Sequence, residues 1–204
     1  MQVHRNPHTF HRDIDLGGKF ILDEQGLQDR IATSYYRFDG DGDYAELADN
    51  AKHDVGINDF ALSVRFKPDD VTTARQVLQQ KESGGVGYGL EIREDDLWIR
   101  LDDGTVDVTA KIATAVIAND VWFHYLVRFD RDGNATATVN GIKVGTVDIS
   151  TAGLTLSNAG AYRVGTESGG TTFEFTGQIS HNRFFNYLPS EIDAKSYSQG
   201  GAVD

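Results

Sequence analysis

Hydrophobic and polar residues alternate with a period of two along much of this sequence. The clearest run lies at residues 60–67, where Phe60, Leu62, Val64 and Phe66 occupy every second position. Small or charged residues fill the positions between them. One buried face and one solvent face at this spacing are typical of a β-strand on a hydrophobic core. The pattern therefore predicts strands rather than amphipathic helices.

Short runs of β-branched and aromatic residues recur at roughly eight to twelve residues from Phe20 onward, with Gly, Asp and Asn between them. This spacing is typical of a β-sandwich or barrel. Asn140 and Gly141 predict a two-residue type I′ hairpin, because both residue types tolerate positive φ. Pro189 with spaced apolar residues predicts one short helix at 188–195. The predicted strands are 60–67, 76–81, 88–93, 97–102, 106–112, 122–130, 135–139, 142–149 and 173–185.

The chain is expected to contain one domain with an arm. Residues 1–18 are polar, charged and aperiodic, whereas residues 19–204 have the length of a single all-β domain. The segment that follows the arm carries Phe20, Leu22 and Ile31, which is more apolar surface than a free leader would keep. We therefore expect residues 1–18 and this segment to dock on a second copy of the chain or on another protein of an assembled particle.

Composition excludes several classes of partner. Lys plus Arg number 19 and Asp plus Glu 31, so the net charge is −12, which repels phosphate backbones. No nucleic-acid partner is expected. The sequence has no run long and apolar enough for membrane insertion, and its first residues do not resemble a secretory signal peptide. It contains no Cys, so neither a disulfide nor a thiolate metal site is expected.

Nine short segments together resemble the laminin G-like, concanavalin A-like jelly-roll domains of bacterial and bacteriophage proteins. Each segment is weak evidence alone, but all of them occur in the family's order. The resemblance implies an all-β fold, an antiparallel two-sheet jelly-roll β-sandwich with one short C-terminal helix. The segments are residues 38–40 with 43–44, 60–69, 77–81, 87–90, 122–126, 139–141, 164–165, 177–179 and 188–192.

The same resemblance bears on catalysis and on calcium. Related sandwich glucanases carry alternating carboxylates on one strand as nucleophile and acid. The nearest string here, residues 191–195, ends in Lys195 and lies in the predicted helix, so a non-catalytic protein is expected. In many relatives an acidic residue of the last strand helps to bind a structural calcium. Ser180 stands at the corresponding position and cannot supply a carboxylate.

Two groups of residues have the chemistry of metal ligands. Asp39, Asp41 and Asp43 present three carboxylates at a spacing of two, which suits either a structural calcium site or a solvated turn between strands. His4, His8 and His11 suit a transition metal, or belong to an arm that does not preorganise a site. No organic cofactor is expected.

Exposed aromatic residues in such sandwiches stack on sugar rings, while polar side chains bind the hydroxyls. Trp98 is the leading candidate, with Tyr88 and Arg100 near it in the predicted meander. The alternative is that Trp98 packs against the other sheet. Trp122 is expected in the core, because of its position at the start of the family-like segment 122–126.

The leading functional hypothesis is a structural or adhesion protein of an assembled particle, namely a bacteriophage capsid-decoration, head-fibre or tail-fibre protein. A virion protein made in the cytoplasm and released by lysis needs no signal peptide. Its expected partners are further copies of itself, other virion proteins and surface glycans. A carbohydrate-binding module of a secreted bacterial protein is the alternative, followed by a glycan hydrolase or lyase.

Overall fold

The computed structural model describes residues 35–190, residue 193 and the backbone of residues 2–4. These residues form short strands connected by tight turns and one 3-10 helix, Ala51–His53. The strands are β1 Gln2–His4, β2 Tyr36–Asp39, β3 Tyr44–Leu47, β4 Phe60–Pro68, β5 Gln76–Ser83, β6 Val86–Arg93, β7 Asp96–Asp103, β8 Asp107–Ala113, β9 Phe123–Phe129, β10 Asn134–Val139, β11 Ile142–Asp148, β12 Tyr162–Val164 and β13 Thr176–Phe185.

The strands form two antiparallel sheets, which confirms the predicted all-β sandwich. Sheet A has the order β1-β3-β12-β5-β6-β7-β8, and sheet B has the order β11-β10-β9-β4-β13-β2. The sequence-adjacent strands β5 to β8 form a meander in sheet A, as predicted. Elsewhere distant parts of the chain pair, so the last strand lies between β4 and β2.

The core fills the space between the sheets, and aromatic rings from both sheets meet there. Phe60 of β4 stacks on Phe129 of β9, with ring centroids 4.4 Å apart, and Tyr88 of β6 lies 4.9 Å from Phe60. All three side chains are fully buried. Burial of one such side chain contributes about 1.5–3 kcal/mol, so these rings hold the two sheets together.

Two buried cations tie the long connections to this core. Lys81 of β5 is fully buried, and its Nζ donates to Asp49 at 2.8 Å, to Asp54 at 3.0 Å and to the carbonyl of Asn158 at 2.5 Å. Arg131 donates in the same way to backbone carbonyls of the loops near residues 56 and 152–154. Because a buried charge must be paired, these contacts fix the loops at that end of the sandwich.

Several local predictions can be compared with the structure. The hairpin is confirmed, since Asn140 and Gly141 both have positive φ, at 50° and 77°. The last predicted strand begins three residues later than expected, because Phe173 has a φ of 51° and cannot continue a strand. The alternation pattern did not predict β1, β2, β3 or β12. Of the predicted helix at 188–195, residues 188–190 are described and are not helical, whereas Asp193 is helical and its backbone N–H donates to Ser190 Oγ at 3.1 Å, an N-terminal cap.

The N-terminal arm is described only at residues 2–4. Gln2–His4 forms β1 and pairs with β3 at the edge of sheet A. His8, His11, Phe20, Leu22 and Ile31 lie outside the described residues, as does most of the 191–195 string. Within the described ranges, no helix is long and apolar enough to cross a membrane.

The hairpin turn yields the first testable prediction. Gly141→Val places a β-branched side chain at a φ of 77°, which should lower the free energy of unfolding by about 1–3 kcal/mol. Gly153→Val is the matched control, because Gly153 is solvent-exposed, has an ordinary φ and has no neighbour within 4 Å of an added Cβ. Urea denaturation of both variants is the measurement. Equal stability of the two variants would contradict the type I′ assignment.

His124 on β9 yields a second prediction. Burial, with Arg183, His181 and Arg65 nearby, lowers the pKa of His124 from 6.5 to about 4. Above pH 6.5 the imidazole is neutral in both folded and unfolded chains. Between pH 6.5 and 4 only the unfolded chain takes up the proton, so the folded state should lose up to about 3 kcal/mol on acidification.

The measurement is the free energy of unfolding from pH 7.5 to 4 in the native protein and in His124→Gln. The variant should lose less stability over this interval, although both proteins share the contributions of the other histidines and of the carboxylates. Parallel profiles would show that His124 carries no such proton linkage.

Candidate functional site

The outer face of β5, β6 and β7 in sheet A has the composition of a ligand-binding surface. In β6, Tyr88 and Leu90 point into the core, so Gly87, Gly89 and Glu91 lie on the outer face. The neighbouring strands add side chains to the same face. We call this the β5–β7 surface, and its residues are Gln80, Glu82, Gly87, Gly89, Glu91, Trp98 and Arg100.

The two glycines allow side chains from β5 and β7 to meet above β6. Gln80 pairs with Gly89 in the register, and Glu82 pairs with Gly87. An added Cβ on Gly89 would lie 3.4 Å from Cβ and Cγ of Gln80, so that side chain lies close over the glycine. Arg100 Nη1 donates to Glu82 Oε2 at 2.7 Å, which joins β7 to β5 across the intervening strand. A larger side chain on β6 would obstruct this ion pair.

A second ion-pair cluster surrounds Glu91, which is 1% exposed. Arg75 donates to both carboxylate oxygens, from Nη2 at 2.6 Å and from Nε at 2.9 Å. Arg93 donates to Glu91 Oε2 from Nη2 at 2.8 Å and from Nε at 3.0 Å. The Arg93 guanidinium also lies over the Trp98 ring, 4.2 Å from its centroid. These contacts fix the orientation of Trp98 on the outer face.

The charges of the β5–β7 surface compensate one another. Two guanidinium groups share the carboxylate of Glu91, whereas Arg100 is shared by Glu82 and Asp102. Burial alone would lower the pKa of Arg100, but the carboxylates of Glu82, Asp107 and Asp102 raise it above its ordinary value. The surface therefore offers many hydrogen-bonding groups with little net charge.

Two hydrogen-bonding groups at the margins of this surface are left unpaired. Within the described part of the chain, Gln80 Oε1 and Trp98 Nε1 are buried atoms without a hydrogen-bond partner. Gln80 is 2% exposed, and its amide nitrogen donates to Glu82 at 2.6 Å. One acceptor and one donor thus remain beside the ion pairs. A buried polar group without a partner costs stability, and neither atom is exposed to a ligand in this conformation.

Comparison with known families identifies the fold family. A sequence model described as the concanavalin A-like lectin/glucanases superfamily matches residues 39–193. The chain belongs to this superfamily. A search of curated proteins found no match.

Solved structures similar to this superfamily member include several binding domains. The CBM40 domain of the Ruminococcus gnavus IT-sialidase has a TM-score of 0.67 at 14% identity, over 84% of this chain and 100% of that domain. The same domain bound to α2,3 sialyllactose has a TM-score of 0.64. The binding domain of botulinum neurotoxin serotype G has a TM-score of 0.64 at 12% identity, over 80% of this chain but 41% of that chain. At these identities the likeness shows the fold alone.

The structure places two of the three sequence-predicted ligand residues on the β5–β7 surface. Trp98 and Arg100 lie on its outer face, and Trp98 does not pack against the other sheet. Tyr88 requires a correction, since it is 0% exposed and its hydroxyl donates to the carbonyl of His53 at 2.7 Å. Alternation along β6 turns its side chain inward. Trp122 is also corrected, because it is half-buried outside the core, with the Arg65 guanidinium 4.6 Å from its ring centroid.

The three aspartates of the β2–β3 turn serve the turn itself. The N–H of Asp41 donates to Asp39 Oδ1 at 2.9 Å, and the N–H of Asp39 donates to Asp43 Oδ2 at 3.4 Å. Among the described residues no group of three or more His, Asp or Glu side chains is arranged to hold a metal ion. Calcium binding by Asp39, Asp41 and Asp43 stays a prediction. The side chains of His4, His8 and His11 lie outside the described residues.

One pair has the residue types of a nucleophile and its base. Ser63 Oγ and His124 Nε2 lie 2.7 Å apart on sheet B. Ser63 is fully buried and His124 is 4% exposed, so a substrate has no access to this hydroxyl. The Nδ1 atom of His124 has no partner among the described residues, whereas a catalytic histidine is oriented by a third group. This pair is better explained as structural.

Proposed function

We propose that this chain is a non-catalytic carbohydrate-binding and adhesion protein, which recognises glycans through the β5–β7 surface. The observation that carries the proposal is the arrangement of Trp98 beside Glu82 and Arg100. A partly exposed indole can stack on a sugar ring, while carboxylate and guanidinium groups bind hydroxyls. The ion pairs hold these groups in place before a ligand arrives, which reduces the entropic cost of binding.

The superfamily and its structural neighbours support this assignment. The Ruminococcus gnavus CBM40 domain was solved with bound α2,3 sialyllactose. Botulinum neurotoxin type C, another structural neighbour, depends for cell entry on interaction with two ganglioside molecules. Both neighbours share the fold of this chain. The absence of catalysis is part of the proposal, and the inaccessibility of Ser63 supports it.

The first test of this proposal uses the two tryptophans of the chain. Trp98→Ala should weaken binding to any glycan that the native protein binds on an array by about thirtyfold, since loss of a central aromatic contact costs about 2 kcal/mol. Trp122→Ala is the matched control, because Trp122 is also partly buried and packed against an arginine, but lies outside sheet A. It should bind as the native protein does.

Isothermal titration calorimetry of the best array ligand is the measurement, with thermal melting to confirm that both variants fold. Binding that survives Trp98→Ala would contradict the assignment of this surface. A native protein that binds no glycan on the array would contradict the proposed function.

A second function is supported by the N-terminal strand. The proposal is a bacteriophage virion protein, in a capsid-decoration, head-fibre or tail position, with further copies or other virion proteins as partners. Gln2–His4 pairs with β3 at the edge of sheet A through backbone hydrogen bonds, which depend little on side-chain identity. The same three residues can therefore pair with β3 of a neighbouring copy. An assembly of many copies would convert weak glycan contacts into avidity.

Self-association tests this second function. Light scattering should find an oligomer for the full chain and a smaller mass after deletion of residues 1–18, while circular dichroism shows that the sandwich is still folded. The deletion removes one edge strand and should leave the core unchanged, because β1 contributes three residues at the edge of sheet A. A full-length protein that is monomeric at high concentration would contradict the virion assignment.

A further inference from the structure

A row of aromatic and charged side chains crosses sheet A perpendicular to its strands. Glu91 of β6 lies opposite Val77 of β5 and Trp98 of β7 in the register. The N–H of Val77 donates to the carbonyl of Phe173 at 2.8 Å, which extends the row by one chain beyond β5. Phe173 and Trp98 therefore lie three steps apart with Glu91 between them, and the row continues past Trp98 to Lys111 of β8, whose ammonium lies 6.0 Å from the Trp98 ring centroid.

Arginine side chains fill the space between the two aromatic rings. The Arg75 guanidinium lies over the Phe173 ring, 4.0 Å from its centroid, and the Arg93 guanidinium lies over the Trp98 ring at 4.2 Å. Both donate to Glu91. The result is a continuous row of ring, guanidinium, carboxylate, guanidinium and ring.

Phe173 occupies a conformation that the fold alone does not require of a phenylalanine. Its φ of 51° lies in the left-handed region, which is unfavourable for a bulky residue, and 41% of the residue remains exposed. Asparagine or glycine would adopt this backbone at lower cost and expose no apolar ring. Strain combined with an exposed aromatic ring points to a role in contact with a ligand.

The length and charge of the row define the ligand that it fits. Neighbouring chains in a sheet lie about 4.8 Å apart, so three steps place Phe173 and Trp98 roughly 14 Å apart, which is longer than a single sugar ring. Every cation of the row contacts the one carboxylate of Glu91 or lies on an aromatic ring. Lys111 contacts Asp96, and on the adjacent positions Arg100 contacts both Glu82 and Asp102. Two guanidinium groups on one carboxylate leave one excess positive charge in the row, but the second carboxylate on Arg100 offsets it, so this surface has no net positive charge to attract an anionic sugar.

We infer that the site takes an uncharged oligosaccharide of several residues, which lies across the strands with one sugar on Trp98 and another on Phe173. The inference rests on the proposed function and extends it to the class of ligand. Phe173 makes the second aromatic contact, and only chains long enough to reach it benefit from it. A single terminal sugar would contact Trp98 alone.

The experiment measures affinity against chain length. The probes are β-1,4-linked glucose, xylose and mannose oligosaccharides, each in a series from one to six residues, together with sialyllactose as a charged ligand. For at least one neutral series, affinity should rise about tenfold or more between two and four residues and then level off. Phe173→Asn removes the ring and keeps a residue that tolerates positive φ.

Phe173→Asn should abolish that rise and leave the affinity for the shortest ligands unchanged, whereas Phe173→Tyr retains the ring and should retain the rise. Trp98→Ala should weaken binding at every length. Equal affinity for short and long chains, an unchanged rise in Phe173→Asn, or binding to sialyllactose alone would overturn this inference and leave the proposed function in place. Absence of binding to every probe would overturn this inference, and absence of binding to the glycan array as well would overturn the proposed function.

Discussion

The pleat of β6 governs both the interior and the outer surface of sheet A. Because successive side chains alternate between faces, Tyr88, Leu90 and Ile92 fill the core, while Gly87, Gly89 and Glu91 face outward. The glycines are what allow Glu82 and Arg100 to pair across the strand. A one-residue slip of the register would bury the charged set and expose the core set, so the hydrophobic core fixes the geometry of the candidate site.

Buried polar residues of β5 connect this surface to the rest of the molecule. Gln79 and Lys81 point inward from the strand that presents Gln80 and Glu82 outward. Lys81 binds Asp49 and Asp54, and Gln79 accepts from Asn182 of β13 at 2.7 Å. Each of these contacts joins segments that are distant in sequence. The outward-facing side chains of β5 are therefore held by a strand whose opposite face is fixed in the core.

The sequence predicted the meander and the hairpin, because strict alternation and turn residues carry that information locally, and it left open whether Trp98 faces outward or packs against the other sheet. It did not predict the roles of Gln80 and Glu82. Gln79 and Lys81 are polar but point inward, and a bulge between Val77 and Gln79 shifts the alternation, so β5 has no readable pattern.

Two aromatic residues show where local patterns mislead or carry no information. The sequence predicts Tyr88 as a ligand residue because it lies near Trp98 in the meander, but its side chain is buried in the core. The alternation of Gly87 and Gly89 with Tyr88 and Leu90 is the signal that the glycines face outward and the tyrosine inward. Phe173 could not be found from the sequence, since its position depends on a left-handed backbone and its ring contact on Arg75.

The central claim is that ligands bind on the outer face of sheet A. The chain contains two tryptophans, Trp98 on that face and Trp122 outside sheet A, so its two indole N–H signals in a nitrogen-15 correlation spectrum report the two regions separately. Titration with a β-1,4-linked hexasaccharide that binds the protein should shift the Trp98 signal progressively and leave the Trp122 signal in place. Binding that shifts the Trp122 signal while the Trp98 signal stays unchanged would contradict the account.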